Sequence, residues 1–363
     1  MKRWIFLLGC IYCGVLSAQT VEPAVLKALQ QAQAAQAAGD PGKAARLLEG
    51  LSFEKGSYAE LMVLRNLGYL AWQQDRLDAA IDFLQKAEKH EQMGAEDRQK
   101  DRLGLARLTL AAGRPQQTVV YLEGQPQTDE VLQLGIQAWY QQKRYDRALP
   151  LAEKYLAGKS SVNRQWTELM VSLHHGSKNY GKSAEWQRRL LAMDPDNLEQ
   201  WKRLAILQRL AGNNAVAFAT LRTAYSKGLD MNAQDLQQML SFAIAADQPW
   251  QGARLLQQLV ASGKLKNDVQ QQETLARLYW QARERNKAIE LFRQLAERGG
   301  KAEHWLILAQ LAMQQQDWTL SGQALDSAQR AGASRKRVQS WRDWLESSKE
   351  AERMAREGLT AKL

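Results

Sequence analysis

Cysteine is nearly absent: the 363-residue chain has two, Cys10 and Cys13, both within its first eighteen residues. Disulfides, cysteine-ligated zinc and cysteine nucleophiles are thereby excluded from the remainder. Proline is scarce, at seven residues, and no alternating Val/Ile/Thr-rich run marks a strand. Histidine is scarcer still, at four: His90, His174, His175 and His304. His174 and His175 are adjacent, so on a helix they point about 100° apart, and no His-Glu-x-x-His arrangement occurs. Carboxylates show no paired arrangement, since Glu350 and Glu352 flank Ala351 and would lie on different helix faces. Gly299-Gly300-Lys301 lacks the earlier glycine and the following Ser/Thr of a phosphate-binding loop and reads as a turn. These absences predict no metal site, no cofactor and no catalysis.

Long apolar runs are missing as well. The segment Trp4 to Leu16 is only thirteen residues and contains Gly9 and Gly14, which is short for a bilayer span. It follows the positive Lys2-Arg3 and precedes the small Ser17 and Ala18. That layout predicts a secretory signal peptide over residues 1–18, cut near Ala18, and no transmembrane anchor in the mature chain. Leu7-Leu8-Gly9-Cys10 also resembles a lipoprotein cleavage box, but the apolar run before Cys10 is too short, so ordinary cleavage is the reading. Removing Lys2 and Arg3 takes the formal charge from +10 to +8. A basic surface admits nucleic acid, an anionic membrane or an acidic partner; export disfavours nucleic acid.

What the chain does contain is helix formers, with Leu, Ala, Gln, Arg and Glu dominant, and twelve tryptophans. It also repeats itself. One unit carries Leu64, Leu67, Gly68 and Ala71, a polar turn at Gln73 to Arg76, then Ala80, Leu84 and Ala87. A second carries Trp201, Leu204, Ala205 and Gln208, the turn Gly212-Asn213-Asn214, then Ala217, Leu221 and Ala224. A third carries Trp305, Leu308, Ala309 and Ala312, the turn Asp317-Trp318, then Ser321, Leu325 and Ala328. In each, two small residues lie twelve positions apart. Such residues let paired helices approach closely, where a larger side chain would force the backbones apart. The second-helix markers read Ala44, Ala80, Thr118, Ala148, Ser183, Ala217, Ala253, Ala288 and Ser321, at intervals of 30 to 38 residues. The first, third and seventh units are degenerate.

This pattern resembles the tetratricopeptide repeat family, whose motif pairs Trp-x-x-Leu-Gly/Ala in a first helix with Ala-x-x-x-Phe/Leu-x-x-Ala in a second. Met193-Asp194-Pro195 matches the family's closing proline, and Ala276, Tyr279, Ala288 and Phe292 carry the eighth unit. The resemblance implies an all-α, right-handed superhelical solenoid of about nine helix-turn-helix repeats over residues 19–333. It implies structural roles for Gly68, Ala80, Trp201, Ala205, Ala217, Ala288, Trp305 and Ala309, and a concave groove lined by first helices. The family's carboxylate clamp does not carry over, because only Asn66 sits at a comparable place. Residues 334–363 read as a capping helix, with Val338, Trp341 and Leu345 on one face, and a polar tail beyond Ser347 that frays. The region before Val25 likewise reads as loose.

Arg335, Lys336 and Arg337, near Arg330, form the densest basic cluster and a candidate docking point for a partner. Trp139, Trp201, Trp280, Trp305, Trp318 and Trp341 read as packing residues, whereas Trp72, Trp166, Trp186 and Trp250 are unassigned. The chain also resembles exported tetratricopeptide proteins encoded beside TonB, ExbB and ExbD energy-transduction components of Gram-negative bacteria. That likeness rests on the leader, on Trp201 to Ala205 and on Trp341 to Leu345. It implies a periplasmic protein–protein scaffold accessory to TonB-dependent transport, binding the transducer or its receptor. The alternative is a recruitment or assembly factor for cell-wall or surface-polysaccharide machinery.

Overall fold

A computed structural model describes residues 21–360; the expected signal peptide, with Cys10, lies outside them. Among the described residues there are nineteen α-helices and no strand. None of these helices is long and apolar enough to cross a membrane. The chain divides between Val162 and Asn163 into two compact units. The first contains four hairpins: α1 (Pro23–Ala37) with α2 (Pro41–Glu49), α3 (Tyr58–Gln73) with α4 (Leu77–Glu88), α5 (Ala95–Ala111) with α6 (Pro115–Leu122), and α7 (Asp129–Gln141) with α8 (Tyr145–Leu156). The second contains five: α9 (Arg164–Gly176) with α10 (Tyr180–Met193), α11 (Leu198–Leu210) with α12 (Asn214–Ser226), α13 (Ala233–Ala245) with α14 (Pro249–Ala261), α15 (Val269–Gln281) with α16 (Arg285–Gly299), and α17 (Ala302–Gln314) with α18 (Trp318–Arg330). A last helix, α19 (Arg335–Thr360), follows. Within each unit every helix packs on its neighbours in sequence, which is the expected logic of a stack whose hairpins cannot bury their apolar faces alone.

The hairpin turns repeat in detail. Each places one residue at positive φ: Gly39, Asp75, Gly113, Lys143, Lys178, Gly212, Asp247, Arg283 and Gln316. The N–H that follows reaches back five residues to a helix carbonyl, as in Arg76 to Ala71 and Gln248 to Ala243, both close to 3 Å. This left-handed closing geometry satisfies carbonyls that the helix end would otherwise leave open. Starts are capped by side chains or by proline: Asp40 accepts from the Lys43 N–H at 2.8 Å, and Asn232 and Asp235 form a reciprocal capping box. Pro41, Pro115 and Pro249 open second helices where no donor is needed.

Eight of the nine marker positions follow the positive-φ residue by five and are completely enclosed, from Ala44 to Ser321. Thr118 is among them, so the third repeat is regular despite its degenerate sequence. The seventh is corrected by one: five residues beyond Asp247 lies Gly252, not Ala253. A Cβ on Gly252 would sit 3.3 Å from Leu278 and 3.6 Å from Ala243, so the glycine lies in the crowded notch. Ala217 is fully buried in a core that also holds Phe218, Phe292 and Leu325. Ala217→Leu is therefore expected to lower unfolding free energy by about 1–3 kcal/mol through overpacking. Urea denaturation would measure it, and an unchanged midpoint would reject this register.

Both ends of the described residues are helical. Helix α1 begins at Pro23 and Val25 is fully buried. At the other end α19 does not stop at Ser347 but continues to Thr360. Val338 and Leu345 are buried against the core and Trp341 packs beside them. Further along, Glu352 accepts a 2.7 Å hydrogen bond from the Trp318 indole of α18. A polar sequence here still has a docking partner.

Candidate functional site

The residues at repeating positions are consumed in packing. Ala80, Ala205, Ala217, Ala288 and Ala309 are completely buried, and Gly68 is buried where a Cβ would lie 2.6 Å from Leu84 Cγ. Where the marker is polar it bonds across the hairpin: Ser183 Oγ donates to the Val171 carbonyl and Ser321 Oγ to the Ala309 carbonyl, each twelve residues back. Trp201 is half-buried and donates its indole N–H to the Pro195 carbonyl at 2.8 Å, fixing the closing turn of the preceding repeat. Trp305 is half-buried against the same core. These positions build walls; they do not present a site.

First helices of successive hairpins are joined by ion pairs. In the first unit Asp101 of α5 is fully buried and receives Nε and Nη2 of Arg65, from α3, at 2.8 and 3.0 Å. Tyr69 donates its hydroxyl to the same carboxylate at 2.6 Å, and Asp97 lies 3.0 Å from Arg65 Nη1. Burial works against the Arg65 charge, but the Asp101 hydrogen bond and charge outweigh it and raise its pKa. Burial first, and then Asp101, push the Tyr69 hydroxyl up. In the second unit Lys202 of α11 reaches Asp235 of α13 at 2.7 Å, and Glu273 of α15 meets Lys301 and the buried His304 of α17, both at 2.9 Å.

Glu273 is held below its ordinary pKa, chiefly by the hydrogen bond from Lys301 and further by His304, against the opposing cost of burial. A depressed carboxylate stabilises the fold above the ordinary glutamate range, near 4, and loses that contribution as pH falls through the folded value. Glu273→Gln should consequently flatten part of the acid-side decline in melting temperature. An acid limb identical to wild type would show the pair to be inert. Among the described residues no group of His, Cys, Asp or Glu could hold a metal ion.

The second helices differ. Between α12 and α14 lies an open trough of about 500 Å³, with Phe218 and Leu255 at its base and Arg222, Trp250, Gln251 and Arg254 around it. Arg254 stacks over the Trp250 ring, 4.8 Å from its centroid, and Trp250 is 48% exposed. Arg222 Nη1 donates to Gln251 Oε1 at 2.9 Å.

Residues 29–96 and 273–335 match the tetratricopeptide repeat family model. The two matched segments fall on hairpins of the register described above, α1–α4 and α15–α18. Those segments carry tetratricopeptide repeats. Solved structures of this family resemble it only loosely. A tetratricopeptide repeat protein from Parabacteroides merdae is 18% identical, covering 71% of this chain and 99% of that one, with a TM-score of 0.39. YrrB, described as having an unusual peptide-binding site, is 12% identical over 53% of this chain and 97% of its own, at 0.36. The yeast Sti1 TPR2AB domain in complex with pHSP90 is 14% identical over 71% and 98%, also at 0.36. No curated relative matches the chain.

Tetratricopeptide repeats act as protein-interaction scaffolds, and the basic cluster singled out in the sequence can be placed on this one. Arg335, Lys336 and Arg337 open α19 and are exposed. Arg337 is already engaged by Glu303 of α17, at 2.9 and 3.3 Å, so the cluster offers less free charge than its sequence implies. Asn66 is likewise committed, donating to the Met62 carbonyl at 2.8 Å. Of the four unassigned tryptophans, Trp72 packs in the core beside Tyr69, and Trp166 and Trp186 are half-buried. Only Trp250 of the four is exposed. Sequence reasoning missed Arg222 and Arg254, because lone arginines among alanine and glutamine carry no spacing signal.

Proposed function

We propose that this chain is a periplasmic protein-interaction scaffold of a Gram-negative envelope, accessory to TonB-dependent transport. The observation that carries the scaffold reading is the division among side chains: residues at repeat positions are spent on packing, while aromatic side chains between them, Tyr140, Trp250 and Trp344, stand exposed on helices. A wall whose interior is fixed and whose exposed positions vary suits contact with another protein more than chemistry on a small molecule. The periplasmic reading is supported by the leader-like order of Lys2-Arg3, the apolar Trp4 to Leu16 and Ala18, and by the absence of cysteine after Cys13. The transport link rests on the sequence likeness at Trp201 to Ala205 and Trp341 to Leu345.

The test is photo-crosslinking in living cells from Tyr140, Trp250 and Trp344, with fractionation and N-terminal sequencing of the exported chain. A product beginning near Gln19, joined to a TonB-type transducer or receptor, is the expected result. Adducts confined to polysaccharide-synthesis components would replace the transport role with assembly of that machinery. An uncleaved cytosolic chain, or no protein adduct from any position, would overturn the proposal.

A further inference from the structure

Charge is distributed unevenly within the second unit. Its first helices α9, α11, α13, α15 and α17 carry five basic and five acidic residues. Its second helices α10, α12, α14, α16 and α18 carry ten basic and four acidic ones, and α12 and α14 have no carboxylate at all. The acids of the first helices are largely occupied: Glu199 and Asp235 by Lys202, Glu273 by Lys301 and His304, Glu303 by Arg337. Among the described residues, by contrast, no carboxylate forms an ion pair with Arg222 or Arg254. Two exposed guanidiniums without counter-charges border one trough.

The trough has the makings of a recognition surface. Its volume, about 500 Å³, falls within the range of ligand-binding clefts. Its polar lining is arginine and glutamine, with Gln257 and Gln258 beside Gln251, and it contains no acid. Arg222 spends one N–H on Gln251 and retains the others. The Arg254 guanidinium sits over the Trp250 ring, 4.8 Å from its centroid, a cation–π contact that restrains it while leaving donors open to a carboxylate. Trp250 adds an exposed apolar ring beside the charges, the kind of anchor around which binding energy concentrates.

We infer that the α12–α14 trough docks an acidic segment of a partner protein, with a carboxylate taken by Arg222 and Arg254 and a neighbouring apolar side chain laid on Trp250. The inference rests on the scaffold reading but places contact on second helices, away from the first-helix face. Charge complementarity selects the occupant: unpaired arginines call for an anion, and the exposed ring calls for an apolar neighbour that a free anion lacks.

The test uses the mature chain and a short fluorescein-labelled peptide of alternating Glu and Leu, followed by fluorescence anisotropy. Its controls are a peptide of alternating Gln and Leu, a labelled single-stranded DNA and vesicles containing anionic lipid. The Glu peptide should bind, weaken as salt rises, and lose on the order of tenfold affinity or more in Arg222→Glu/Arg254→Glu. Trp250→Ala should also weaken it, whereas Arg188→Glu/Arg293→Glu, on the same class of helices outside the trough, should change it little. Circular dichroism would verify that each variant remains helical. Equal binding of the Gln peptide, equal loss in both arginine pairs, or tighter arginine-dependent binding of DNA or vesicles would overturn the inference. Failure here would leave the cellular crosslinks to judge the scaffold function separately.

Discussion

Asp101→Ala is expected to lower the unfolding free energy by about 3–5 kcal/mol, a large fraction of a typical domain's stability. The carboxylate is fully buried and receives three hydrogen bonds, two from Arg65 and one from Tyr69. Deleting it leaves a guanidinium only 19% exposed without its main counter-charge, and a hydroxyl without its acceptor. Asp97 compensates little, because it is half exposed and touches only Nη1. The decisive comparison is Arg65→Met/Asp101→Leu. Removing both charges relieves both desolvation penalties, so the double variant should be far closer to wild type than the single one. If the two are equally destabilised, the loss comes from packing and not from the stranded charge. The same network has an alkaline signature. Tyr69 is pushed above its ordinary pKa, so the folded state retains a proton that the unfolded chain releases. Stability should then fall as pH rises through about 10, and Tyr69→Phe should reduce that fall.

The Gly68–Leu84 contact should show a reversal of sign. Alanine is favoured over glycine inside a helix by about 1 kcal/mol, so Gly68→Ala would stabilise α3 were nothing opposite. Here a Cβ would meet Leu84 Cγ at 2.6 Å and Cδ2 at 2.7 Å, and Leu84 is itself completely buried. In the wild-type background Gly68→Ala should therefore cost about 1–3 kcal/mol. Leu84→Ala alone should cost about 2–5 kcal/mol. Once Leu84 is gone the notch is empty, and Gly68→Ala added to Leu84→Ala should stabilise by up to about 1 kcal/mol. Denaturant titration of all four proteins measures the cycle. Additive effects would show that the two residues do not meet.

The hairpins were legible because their closest contacts demand small side chains, and few residue types qualify. Ala80, Ala217 and Ala288 report their position by chemistry alone. Gly252 and Ala253 are both small and adjacent, so composition cannot choose between them; the turn at Asp247 does. That turn was hard to read because six of the nine positive-φ positions are not glycine. Backbone hydrogen bonds impose the geometry, so residues as large as Arg283 and Lys143 adopt it. The second-helix trough was illegible for a different reason. Its character comes from the absence of acids near Arg222 and Arg254, and absence across two helices far apart in sequence leaves no motif.

Helix α19 runs well past its last buried leucine, Leu345, to place Glu352 against the Trp318 indole. Trp318 opens α18, so α19 latches onto the start of the second helix of the hairpin it covers. A proteolytic nick between Leu345 and Glu352 would spare the buried Val338 and Leu345 yet release this latch, loosening the final repeat from its outer edge inward.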